Sequence, residues 1–184
     1  MPGPAREVLA SVGRYRIGRA RAADVLRLAA IERAAGELLR GHAPDRVLME
    51  TTDARELDAA RRGGRLWVAL DADECVGFAH VEMLATRAPH LEELDVHPAH
   101  GRRGVGTALV RVVCDWTAHS RCSALTLTTF RAVPWNMPFY ERLGFVEVPE
   151  AEWSRPLAVL VRAEAGRGLD PARRVVMRWP AVRR

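Results

Sequence analysis

A chain of 184 residues that is 48% hydrophobic has apolar material for one core rather than two, and no Pro/Gly/Ser-rich linker divides it, so a single domain over residues 1–184 is expected. Its net charge of +5 and pI near 10 rest on 28 basic residues, all arginine, scattered without an accompanying base-reading motif, which argues against a nucleic-acid partner. No signal-like run opens the chain, no stretch approaches the roughly 20 apolar residues of a membrane span, and Cys75, Cys114 and Cys122 have neither a CxxC pair nor a histidine at ligand spacing; a cytoplasmic protein without membrane, disulfide framework or metal is expected.

Residues 14–19 alternate weakly through Tyr15 and Ile17 and predict a first strand, and residues 23–39 carry Val25, Leu26, Leu28, Ile31 and Leu38 at helical spacing. Gly41 and Pro44 stop that helix. Residues 53–62 predict a second, with Thr52 or Asp53 as its cap and Gly63-Gly64 as its end. Two β-rich runs, 66–70 and 75–84, joined by the polar turn Asp71-Ala72-Asp73-Glu74, read as an antiparallel hairpin. Residues 91–96 form a fourth strand closed by Pro98, which lacks a backbone donor. From about Gly104 the period changes: Leu109, Val112, Val113 and Trp116 place one apolar stripe on a helix reaching His119. Residues 123–130 alternate Leu125 and Leu127 with Thr126 and Thr128, a fifth strand that the helical crossover makes parallel to the fourth. A short helix over 138–143 is closed by Gly144 and followed by a strand through Val148. Residues 156–165 read as helix or loop, and Val175, Met177 and Trp179 mark a last strand over 173–179, expected antiparallel at the sheet end.

Strand, glycine-arginine loop and helix in that order suit an anion, because the first helical turn has unpaired N–H groups and a positive dipole end, and glycine lets a ligand approach the backbone. The letters fit neither a P-loop nor the dinucleotide fingerprint, since no Lys-Ser/Thr follows the glycines and Leu109 stands where a third glycine is required. The run from Val96-His97-Pro98 through Gly104-Val105-Gly106 resembles the pyrophosphate loop of the GNAT superfamily of N-acetyltransferases, Arg/Gln-x-x-Gly-x-Gly/Ala after a Val-x-Pro-like turn. Gly104 and Gly106 match; Gly101 stands where Arg or Gln is usual, and Arg102 and Arg103 come one and two residues later. A second segment, Asn136-Met-Pro-Phe-Tyr140-Glu-Arg-Leu-Gly-Phe145, is similar to the family's asparagine and Phe-Tyr-Glu-x-Leu-Gly-Phe stretch. The likeness is specific from about Gly77 to Phe145.

That resemblance implies an α+β, α/β/α layered fold: a mixed, mostly antiparallel central sheet with a parallel splayed strand pair and flanking helices. It implies acetyl-CoA as cosubstrate. Backbone groups of Leu94, Asp95 and Val96 would pair with its pantetheine amides, amides of Arg102, Arg103, Gly104, Val105, Gly106 and Thr107 would hold its pyrophosphate with Arg102 or Arg103 adding charge, and Asn136 would bond near the thioester arm. Tyr140 takes the position of the tyrosine that protonates the departing thiolate. For the base, period two puts His90, Glu92 and Leu94 on one strand face; Glu92 is preferred, with His90 and water as alternatives. A covalent route through Cys114 or Cys122 lacks a neighbouring base. The expected activity is direct acetyl transfer to an amine; the alternative is a catalytically silent acyl-CoA-binding or sensor module. Acidic residues gather at Glu37, Asp45, Glu50, Asp53 and Glu56 and suggest a small cationic acceptor. A homodimer is compatible with this reading.

Overall fold

The structure, a computed structural model, describes residues 7–181. Its elements are β1 (Val8–Val12), β2 (Tyr15–Arg19), α1 (Ala22–Gly36), α2 (Asp45–Met49), α3 (Ala54–Arg62), β3 (Leu66–Asp71), β4 (Glu74–Ala85), β5 (Ala88–Val96), α4 (Val105–His119), β6 (Ala124–Phe130), α5 (Met137–Glu141), β7 (Val146–Glu147), α6 (Arg155–Gly166) and β8 (Arg174–Pro180). The strands form an eight-stranded sheet in the order β1-β2-β3-β4-β5-β6-β8-β7, mostly antiparallel, with β5 and β6 as its parallel pair and helices flanking it. No helix among the described residues is long and apolar enough to cross a membrane. The chain groups into two compact units, residues 7–35, 51–81 and 93–113 in one and 36–50, 82–92 and 114–181 in the other.

In the first unit, Val25, Leu28 and Ile31 of α1 and Leu57 and Ala60 of α3 pack with Leu66, Val68 and Leu70 of β3 and Phe78 of β4. Each fully buried Leu or Phe there stabilises the fold by about 1.5–3 kcal/mol. The Asp24 side chain accepts from Arg21 N at 2.6 Å, the return arm of a capping box that starts α1. Asp53 rather than Thr52 caps α3, accepting from Arg55 N at 2.7 Å. The β1 strand was not foreseen: Val-Leu-Ala-Ser-Val carries no alternation, and its pairing with β2, closed at Val12↔Tyr15, is what makes it a strand.

In the second unit, β6 and β8 pair antiparallel over their whole length, from Ala124↔Pro180 to Phe130↔Arg174. The last strand therefore does not lie at the sheet end as expected. The two-residue β7 takes the edge beyond it, and an edge that short offers little to another chain. Arg174 donates to Thr128 Oγ1 (2.8 Å) and Glu164 Oε1 (3.0 Å), tying α6 to both strands in a part-buried network. The stretch over 156–165 is helical, capped by Ser154. Residues 45–49, for which the sequence predicts no element, form α2 without a side-chain cap; Arg46 donates to Arg167 O at 2.6 Å, and Arg167 reaches Glu50 at 2.6 Å. Tertiary contacts, not local signals, hold that helix.

Candidate active site

The loop after β5 is set backbone first. His97 N donates to Val76 O at 2.8 Å, Pro98–His100 make a single tight turn, and Arg102 and Gly104 take left-handed φ values of 58° and 81°. Ala108 N donates to Gly104 O at 3.0 Å, so Gly104 supplies the first carbonyl of α4 and the amides of Val105, Gly106 and Thr107 have no acceptor inside the helix. Val105 is buried and pins this end. A Cβ at Gly104 would stand 3.1 Å from Val12 Cγ2 of β1, in a conformation that L side chains rarely adopt. Three amides, a helix dipole and a glycine-lined approach fit a diphosphate. Gly101 has an ordinary φ of −63°, and a Cβ there would come 3.2 Å from Pro98 O, so the departure from the family pattern relieves a tight contact.

Strand β5 leads into this loop. Its parallel register with β6 is held at His90↔Thr126 and Leu91↔Leu127. At its far end Gly77 of β4 packs against the backbone, where a Cβ would meet Asp95 O at 2.8 Å and Val96 Cγ2 at 3.2 Å. Leu94, Asp95 and Val96 are half-buried. A strand end of this kind suits an extended, amide-bearing ligand pairing as a further strand.

The candidate base positions differ in environment. His90 is 1% exposed, its Nδ1 lies 2.9 Å from Thr126 Oγ1, and burial, aided by Arg174, lowers its pKa to about 3. Glu92 is half-buried, with one oxygen 4.0 Å from His90 Nε2. An imidazole that titrates near 3 is neutral at pH 7 but too weak a base to take a proton from an ammonium. It also sets a pH dependence. Its pKa is 6.5 unfolded and about 3 folded, so the stability of keeping it neutral is present above pH 6.5 and is lost as pH falls through about 3. The raised carboxyls described below act in the opposite sense and remain in a His90→Gln variant. Melting temperature should therefore fall more steeply between pH 7 and 4 for wild type than for that variant; equal slopes would refute the assignment.

Asn136 and Tyr140 belong to the second unit. The Asn136 carbonyl accepts from Phe139 N at 2.9 Å and Tyr140 N at 3.2 Å, opening α5. The half-buried Tyr140 ring makes edge contacts with Phe139 (5.0 Å between centroids) and Phe145 (5.5 Å). Phe145, 2% exposed, and Gly144, with φ 90°, lock the end of the segment.

The acidic border is redistributed. Glu37 pairs with Arg40 at 2.7 Å, Glu50 with Arg167 at 2.6 Å, and Asp53 caps α3. A different carboxyl group lies deeper in the first unit. Glu32 of α1 accepts from Thr52 N at 2.9 Å and Thr52 Oγ1 at 3.1 Å, and burial, with the charge of Glu56, raises its pKa. Burial first, then Glu32, pushes the Asp95 carboxyl well above the usual carboxylate range, and although Asp95 as a residue is half-buried, its Oδ2 is buried without a hydrogen-bond partner among the described residues. Glu56 is exposed, Glu32 half-buried and Asp95 Oδ2 buried, so the carboxyls grade inward from solvent. Sequence reasoning missed Glu32, yet it stands four residues after buried Leu28, a carboxylate on the apolar stripe of α1.

Cys75, Cys114 and Cys122 are all buried and none is in a disulfide, and burial pushes Cys114 up to about 12. A thiol so held stays protonated and is no nucleophile.

Residues 31–145, more than half of the chain, match the family model described as Acetyltransferase (GNAT) family, and the chain belongs to that family. A mycothiol acetyltransferase from Rhodococcus erythropolis is 39% identical over 61 residues, 33% of this chain and 20% of that protein, so the match spans about a fifth of that relative's length. Two solved structures share the fold. The PaiA N-acetyltransferase of Thermoplasma acidophilum, in complex with coenzyme A, superposes with a TM-score of 0.71 at 13% identity, covering 90% of this chain and 98% of that one. The N-acetylglutamate synthase of Neisseria gonorrhoeae, complexed with coenzyme A and N-acetyl-glutamate, gives a TM-score of 0.70 at 18% identity, covering 95% of this chain and 37% of that one.

Proposed function

We propose that this chain, as one domain over residues 1–184, transfers an acetyl group from acetyl-CoA to a small cationic amine by direct attack. The observation that carries the reading is the start of α4: a left-handed Gly104 followed by three amides without intrahelical acceptors, behind a strand whose parallel register with β6 ends at Leu91. The amides from Arg102 to Thr107 hold the diphosphate, Leu94, Asp95 and Val96 pair with the pantetheine amides, and Asn136 bonds to the same arm. Bound acetyl-CoA supplies an activated thioester carbonyl. Tyr140 keeps a proton on its hydroxyl for the departing thiolate, and Glu92 takes the proton of the acceptor's ammonium, directly or through water. The low pKa of His90 and the protonated Cys114 thiol support Glu92 over His90 and direct over covalent transfer. A cytoplasmic location is part of the same reading.

The acceptor reading rests on Glu32 and Asp95 rather than on the outer acidic border. Burial raises both carboxyls, Glu56 adds to the shift of Glu32 and Glu32 to that of Asp95, and a cation beside them relieves that penalty, so a cationic amine is favoured over a neutral or acidic acceptor. The test is release of free CoA thiol with a panel of monoamines, diamines and amino acids. Turnover is expected with a cationic amine, and Glu32→Gln should raise the KM for that amine about tenfold while leaving the KM for acetyl-CoA within twofold. Coenzyme A binding without thiol release by any amine would instead make the chain a silent sensor.

A further inference from the structure

Tyr15 begins β2, is 3% exposed, and reads in sequence as nothing more than a strand residue. Its hydroxyl, however, is shared by two side chains of the loop that precedes α4: Arg103 Nη1 donates to it at 3.2 Å, and His100 Nδ1 lies 3.2 Å away. An arginine can only donate, so the phenol oxygen accepts from Arg103, and the same oxygen shares a hydrogen bond with His100 Nδ1 whose direction is set by the His100 tautomer. The two rings meet edge to face, centroids 5.8 Å apart at 87°. Behind them Asp71 holds Arg14 at 2.6 Å, and the Arg14 guanidinium stands 5.5 Å from the Tyr15 ring centroid. One phenol on the sheet thus grips the loop both before and after its left-handed Arg102.

The neighbouring arginines differ for this reason. Both are exposed, but Arg102 has no side-chain hydrogen bond among the described residues, whereas Arg103 spends one N–H on Tyr15 and keeps the others. A free arginine gives up rotamer entropy when it is fixed on an anion. Arg103 has given up part of that already, directly before the helix N-terminus where an anion is best stabilised.

We propose that Tyr15 is a positioning residue that presents Arg103, and not Arg102, to a phosphate of the acyl donor. The inference rests on the function proposed above. Coenzyme A carries two kinds of phosphate, the diphosphate and the ribose 3′-phosphate, and both offer the charge and acceptor oxygens that a guanidinium recognises.

The test is calorimetric binding of coenzyme A, with acetyl-transfer kinetics alongside. Tyr15→Phe keeps the buried ring and removes only the hydroxyl. It should weaken coenzyme A binding about tenfold, the scale of one hydrogen bond to a charged group, and leave kcat at saturating acetyl-CoA within twofold. Arg103→Ala should cost clearly less affinity in the Tyr15→Phe background than in wild type, while Arg102→Ala should cost the same in both. Repeating the comparison with dephospho-coenzyme A separates the two phosphates: a persisting Tyr15→Phe deficit assigns Arg103 to the diphosphate, a vanished one to the 3′-phosphate. Unchanged affinity in Tyr15→Phe, or an Arg103→Ala loss equal in both backgrounds, overturns the inference. Should Tyr15→Phe fail to fold, the single variants still decide, since Arg103→Ala must weaken binding more than Arg102→Ala, and equal losses overturn it. Wild-type protein that binds no coenzyme A removes the proposed function and this inference together; wild-type binding with an indifferent Tyr15 removes this inference alone.

Discussion

Tyr140→Phe should lower kcat about a hundredfold or more, with kcat/KM for acetyl-CoA falling by the same factor and coenzyme A affinity nearly unchanged, because a general acid acts only as the leaving group departs. The substitution is clean. The ring is half-buried and packs edge-on against Phe139 and Phe145, so phenylalanine retains those contacts and loses the hydroxyl alone. A melting temperature close to wild type would confirm that the loss is chemical. Glu92→Gln should flatten the limb of the rate profile that rises with pH, since that limb reports the deprotonated base. Full turnover in Tyr140→Phe would take the tyrosine out of the mechanism; an unaltered profile in Glu92→Gln would give the base role to water.

The second large effect belongs to Gly104. Coenzyme A at a hundredfold over its dissociation constant stabilises a folded binder by about 2.7 kcal/mol, roughly 5–10 °C in melting temperature for a chain of this size. Gly104→Val should abolish that rise. The native φ of 81° is strained for valine, the new Cβ would press on Val12 Cγ2 from 3.1 Å, and the added side chain would cover the approach to the amides of α4. The unliganded variant should also melt lower than wild type, by the strain and the displaced β1 contact. A variant that keeps the full ligand-induced rise would show that the diphosphate is held elsewhere.

The candidate site was partly legible before any coordinates. Short-range chemistry writes itself into adjacent letters: a glycine loop between a strand and an amphipathic helix, Gly104-x-Gly106, and the stretch from Asn136 to Phe145 could all be found by reading along the chain. The residues around them could not. Tyr15 lies 85 positions from His100 and 88 from Arg103, and Glu32 lies 20 from Thr52. Charge pattern alone picked Glu37, Glu50 and Asp53 for the acceptor border, and the structure gives each of them an ion pair or a cap instead. Spacing also put His90 and Glu92 on one strand face, but only burial separates an imidazole held near 3 from the half-buried Glu92 beside it.

By itself the sequence determined the elements whose signal is local: the apolar stripes of α1 and α4, a cap at Thr52 or Asp53 and a Gly63-Gly64 end for α3, the hairpin of β3 and β4, and the parallel crossover from β5 to β6. Helical and strand periods, caps and turns act over a few residues, and a right-handed crossover leaves little choice of direction. Tertiary structure alone decided that Val8–Val12 pairs as an edge strand, that α2 forms without a cap of its own, and that β8 inserts between β6 and β7. It also decided which carboxyls are driven toward their neutral forms and which arginine of the loop is held in place. Those outcomes depend on which segments far apart in the chain exclude water from one another, and no run of adjacent residues carries that information.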